Sequence, residues 1–143
     1  MGDVLTNVIV VNSFNDVDDG VANTNHTSLR EAIMAANNHT GPDLIRFAIG
    51  TGARAIGFTN ALPALMDAGT TIDATTQPGF VGQPLIYLDG QFQVPTGFRL
   101  YAPSNTIRGF AINRFGTGIY GDALFAAPFG GFNVIEGNYI GTD

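Results

Sequence analysis

Apolar positions in this chain fall into short runs cut every few residues by Gly, Pro, Asn or Thr, and one run alone has helical spacing. The opening stretch from Val4 ends in Val8-Ile9-Val10-Val11, which predicts a strand, and Asn12-Ser13 then supplies turn chemistry. A polar loop, Asn15-Asp16-Val17-Asp18-Asp19-Gly20, follows. Leu29, Ala32, Ile33 and Ala36 form the helical stripe. Ser28 is placed to N-cap it and Glu31, three residues on, to complete a capping box. Asn37-Asn38 and Gly41-Pro42 end the helix. At about three turns it could not be stable alone, so its apolar face must cover something.

From Leu44 onward the candidate strands are Leu44–Ile49, Ala55–Phe58, Thr70–Asp73, Leu85–Leu88, Gly97–Leu100, Thr106–Ile112 and Asn133–Ile140. No helix-length connector joins neighbours, which excludes a βαβ sheet and leaves a sandwich, a barrel or a solenoid. Repetition favours the solenoid. Asn105-Thr106-Ile107-Arg108-Gly109-Phe110-Ala111-Ile112 aligns with Asn133-Val134-Ile135-Glu136-Gly137-Asn138-Tyr139-Ile140, and Thr70-Thr71-Ile72-Asp73-Ala74 is a weaker copy. In such a coil each Ile points inward, Gly permits the bend, and Asn at a shared corner forms a side-chain ladder. The expected fold is therefore all-β: a right-handed parallel β-helix with a short N-terminal capping α-helix. Residues 1–143 make one domain, with strand, acidic loop and capping helix in 1–43 and coils in 44–143. The last matching coil stops at Asp143, which implies truncation.

Composition sharpens this picture in two ways. Nineteen Gly and only 13% charged residues suit a turn-dense β architecture. The net charge of −6, from 12 acids against 6 arginines and no lysine, makes nucleic acid and anionic lipid poor partners. With no cysteine, disulfides, thiolate zinc sites and thiol nucleophiles are excluded. No apolar run reaches membrane-spanning length, and Met1-Gly2-Asp3 lacks a signal peptide's basic and apolar regions.

Thr27-Ser28-Leu29-Arg30-Glu31-Ala32-Ile33, followed by Ala36-Asn37, resembles the "CSLREAI…AN" element at the head of many secreted bacterial right-handed β-helix repeat proteins. Asp43-Leu44-Ile45-Arg46-Phe47, Leu62-Pro63-Ala64-Leu65, Thr71 to Gly79 and Asn133 to Asp143 are similar to phrases of the same family. The resemblance implies an extracellular or cell-surface location and carries no assigned reaction. It departs at Thr27, where the family has Cys, with a second Cys commonly near Ala22. The missing pair fits either a natural variant or cysteine removal, and it puts the rigidity of residues 20–28 in question.

Five groups of residues are weighed as sites. Asp16, Asp18 and Asp19 form an incomplete calcium-loop pattern whose plainer reading is a solvated turn. Ser28, Leu29, Arg30, Glu31 and Ile33 form a structural cap, with Arg30 bridging helix and first coil. His26 and His39 lack a ligand partner at zinc spacing, and the sequons around them match by accident in a bacterial protein. Asp73, Asp89 and Asp122 could converge as glycosidase carboxylates, but no Gly-His-Gly signature and no lysine base accompany them. Phe125, Phe129 and Phe132 either form a subunit interface or fold back on the chain's own outer face.

The sequence thus predicts a non-enzymatic surface module for adhesion or self-association. Its expected partners are another copy, through the Phe-rich loop or open C-terminal coil, and a carbohydrate or cell-surface ligand. It predicts no catalytic residues, no nucleic-acid partner, no membrane insertion, and no cofactor beyond the weak calcium site. The alternative is a fragment of a carbohydrate-active lyase or glycosidase lacking its catalytic coils.

Overall fold

Alternation sends Ile9 and Val11 of the first strand, β1 (Asn7–Val11), inward and leaves Val8 and Val10 outside. The computed structural model describes residues 6–121 and 133–141. After β1 come the helix α1 (Leu29–Asn38), β2 (Asp43–Phe47), β3 (Arg54–Gly57) and β4 (Thr70–Asp73), the last running into a 3-10 turn over Ala74–Thr76. They are followed by β5 (Ile86–Asp89), β6 (Thr96–Leu100), β7 (Thr106–Arg108), β8 (Phe110–Asn113), β9 (Thr117–Gly121), β10 (Val134–Glu136) and β11 (Tyr139–Ile140).

The strands build three separate parallel sheets, in the orders β1-β2-β4-β7-β10, β11-β8-β5-β3 and β6-β9. This corrects the expected β-helix solenoid: the fold is mostly β with one helix, and its sheets are separate and of unequal size. The physical reason lies in the connections. A regular solenoid stacks structural repeats of similar length. Side-chain bonds between the starts of adjacent strands instead join residues 36 positions apart at Asn7 and Asp43, 35 at Thr70 and Asn105, and 28 at Asn105 and Asn133. The 28-residue echo is local to the last two strands of each larger sheet, where Ile135 lies beside Ile107 and Ile140 beside Ile112.

Across the five-stranded sheet one isoleucine per strand falls in register: Ile9, Ile45, Ile72, Ile107 and Ile135. The middle three are fully buried. The core they enter includes Phe47 and Phe98, each packed against Phe110 with ring centroids 5.4 and 5.2 Å apart. Gly109 separates β7 from β8 at φ +81, and a Cβ there would lie 2.6 Å from the Thr75 methyl group.

Polar side chains secure the strand starts. Asn133 Oδ1 accepts the Asn105 N–H at 2.9 Å, and the fully buried Asn105 Oδ1 accepts the Thr70 N–H at 2.8 Å. On the outer face Arg108 stands between Asp73 and Glu136 in register and bonds both, at 3.2 and 2.6 Å. Glu136 hydrogen bonding, more than Asp73, raises the Arg108 pKa.

Helix α1 covers the β1 end of the core. Leu29, Ala32, Ile33 and Ala36 are buried in the same cluster as Ile9, Val11, Ile45 and Phe47. Burial of this order is worth about 2 kcal/mol for each Leu or Ile. Ser28 Oγ accepts the Glu31 N–H at 3.2 Å while Glu31 Oε1 accepts the Ser28 N–H at 2.9 Å, a reciprocal capping box. No helix among the described residues is long and apolar enough to cross a membrane.

Candidate functional site

The capping box sets the geometry of the most chemically dense corner of the chain. Glu31 is buried by its place in the first helical turn, so its carboxylate must find donors inside the protein. Oε1 takes the Ser28 amide and Oε2 takes the Asp19 amide at 3.1 Å, which draws the acidic loop onto the helix N-terminus. His26, two residues before the N-cap, then brings Nδ1 to 3.0 Å from Glu31 Oε1 and 3.4 Å from Asp19 Oδ2. Its Nε2 lies 2.9 Å from Asn15 Oδ1. Hydrogen bonding with Glu31, then with the Val21 amide, and the neighbouring His26 hold the Asp19 carboxyl below its ordinary value against some desolvation.

Asp19, His26 and Glu31 are the one group of three potential metal ligands among the described residues, with all ligand atoms within 4.8 Å of one another. The three acids expected to share calcium do not converge. Asp16 accepts two hydrogen bonds from Arg30, at 3.0 and 2.7 Å, and Asp18 Oδ1 accepts the Gly20 N–H of its own turn. Asp19 alone faces a potential ligand set, and its partners are His26 and Glu31. In the sequence alone His26 stands as an isolated loop histidine. The available signal was its position just ahead of an N-cap, where a side chain can reach back to a carboxylate in the first turn.

Arg30 bridges three segments. Besides Asp16 it donates to the carbonyls of Ala61 at 2.8 Å and Asn60 at 3.1 Å, which pins the acidic loop and the segment after β3 to the helix. Leu29 and Ile33 face the core. His39 Nδ1 lies 2.9 Å from the buried Asp43, a pair with no third ligand among the described residues.

Two of the three acids proposed for glycoside chemistry are already paired. Asp73 caps the 3-10 turn and bonds Arg108, while Asp89 is bound in bidentate fashion by Arg114. That contact, ahead of any other cause, lowers the Asp89 pKa. Asp122 lies outside the described residues, as do Phe125, Phe129 and Phe132 of the expected interface.

A groove of about 540 Å³ is lined by Tyr87, Leu88, Asp89, Phe92, Asn113 and Arg114. At the other extreme of the two larger sheets, β10 and β11 expose Val134, Ile135, Tyr139 and Ile140. No protein-family model matches the chain, and no curated protein or solved structure matches it.

Proposed function

We propose that this chain is a non-catalytic surface module that self-associates through β10 and β11, with a second copy as the occupant. One observation carries this reading. Ile135 and Ile140 continue rows whose neighbours, Ile107 and Ile112, are buried, yet they are 49% and 47% exposed. A strand edge with exposed apolar side chains invites pairing. At the opposite end of the five-stranded sheet, α1 already covers the core beside β1. A twofold pairing of one β10–β11 end with its equivalent is the closed arrangement, whereas head-to-tail stacking would leave the assembly open. The paired acids Asp73 and Asp89 also argue against a hydrolytic carboxylate pair. Sedimentation velocity over a concentration series tests the reading. The chain should form dimers that Ile135→Ser/Ile140→Ser shifts toward monomer, whereas a monomer at every concentration overturns it.

A second reading, carbohydrate adhesion, is favoured by Phe92 beside Tyr87. Phe92 is 80% exposed in the groove that holds Asp89 and Asn113. An exposed ring next to polar groups suits stacking on a sugar face. Glycan-array binding that Phe92→Ala abolishes supports this reading, and an array without signal removes it.

A further inference from the structure

We propose that Asp19, His26 and Glu31 form a binding site for one borderline divalent metal ion, zinc in the first instance, that clips the 12–28 loop to the N-terminus of α1. The decisive atom is His26 Nδ1. It is sealed from solvent and has no hydrogen-bond partner, although it points at two carboxylate oxygens. The other ring nitrogen explains why. Asn15 Oδ1 already accepts the Val17 N–H, so this oxygen faces the ring as an acceptor and Nε2 is the donor. In the neutral ring Nδ1 then carries the lone pair, and a metal ion takes the place of the Nδ1 proton that otherwise pairs the ring with Glu31 and Asp19. Three lone-pair atoms, Nδ1, Glu31 Oε1 and Asp19 Oδ2, converge on one point, an arrangement that asks for a cation between them.

The spacing fits a small ion. Tetrahedral ligands held about 2.1 Å from zinc lie about 3.4 Å apart. The two distances from His26 Nδ1, 3.0 and 3.4 Å, are close to that separation. The surroundings are those of a supported site: Asn15 orients the imidazole, Ser28 and Asp19 amides hold Glu31, and the Val21 amide holds the other oxygen of Asp19. An imidazole among three ligands selects zinc and its neighbours over calcium or magnesium, which take all-oxygen sets. Asp19 is exposed, which leaves a fourth position open to solvent.

The clip has mechanical sense. No disulfide can close this loop, since the chain has no cysteine, and an ion that binds only the folded arrangement holds its middle to the helix and stabilises the folded chain by mass action.

Isothermal titration of the chelator-stripped chain with zinc chloride tests the proposal, with calcium and magnesium chloride as comparison ions. One zinc should bind, the melting temperature should rise with zinc concentration, and His26 Nδ1 should shift in long-range nitrogen–proton NMR spectra. Asp19→Asn and His26→Gln should each weaken binding about tenfold or more, while His39→Gln leaves it unchanged. Asp19 is solvent-exposed, so its variant keeps the test valid even if His26→Gln does not fold. Absence of saturable binding, equal binding of calcium, or undiminished binding by Asp19→Asn overturns the site.

Discussion

Ile135 sits in parallel register beside Ile107, yet Ile107 is fully buried and Ile135 is half in solvent. The same step separates Ile140 from Ile112 on the neighbouring sheet. Identical side chains on adjacent strands differ only in whether another layer covers them. Leaving two such residues uncovered forgoes burial worth roughly 1 kcal/mol each, and recovery of that energy is the driving force assigned here to association.

Arg30 joins the acidic loop, α1 and the segment after β3 through four hydrogen bonds. Both it and Asp16 are largely shielded from solvent. Arg30→Ala should lower unfolding stability by about 2 kcal/mol, the scale of charge-assisted bonds lost with partners left behind. Arg30→Lys should recover only part of this, because an ammonium cannot span the same fork of acceptors. Urea denaturation of the three proteins measures the order.

Asn105 is buried and bonds both the Thr70 amide and the Ala102 carbonyl, so Asn105→Ala strands two backbone groups. A loss of about 3 kcal/mol is expected. Asn133, one strand further out and partly exposed, serves the Asn105 amide. Its alanine variant should cost about 1 kcal/mol, because water can replace the lost acceptor. Equal losses at the two positions would show that burial does not set the difference.

Arg114 holds the Asp89 carboxyl below its ordinary range. A carboxylate with a depressed folded-state pKa stabilises the protein above its unfolded value of about 3.9 and loses that contribution as pH falls through the folded value. The melting-temperature gap between the chain and Asp89→Asn should therefore be widest at neutral pH and shrink on acidification below about pH 4. A gap that grows toward acid would contradict the assigned pairing.

Much of the local structure was legible in the sequence because it is governed by neighbours. The Ser28–Glu31 box and the Leu29, Ala32, Ile33, Ala36 stripe are three- and four-residue relations, and α1 has both. Strand runs such as Thr70–Asp73 were visible for the same reason. Within the stretch 106–112 the bend expected at Gly109 is present: at positive φ it divides the stretch into β7 and β8. Thr117–Gly121 was missed because its glycines dilute the apolar pattern, and its pairing with β6 is a tertiary fact. The solenoid failed as a description because one local 28-residue echo was extended to a chain whose connections differ in length. The acidic loop misled for a related reason. Arg30, fourteen positions away, takes Asp16, whereas the fold delivers His26 and Glu31 to Asp19.

In the proposed dimer the β10–β11 ends of two copies meet across a twofold axis. A chain without cysteine allows one label to be placed at Glu136→Cys on β10, where the side chain is half exposed. Dipolar electron spin resonance on this labelled chain is the most direct measurement. A twofold dimer gives a single short distance between labels of two copies, lost when Ile135→Ser and Ile140→Ser are added. Labels that show no coupling at concentrations where the chain is fully associated, or a broad set of long distances, would contradict it.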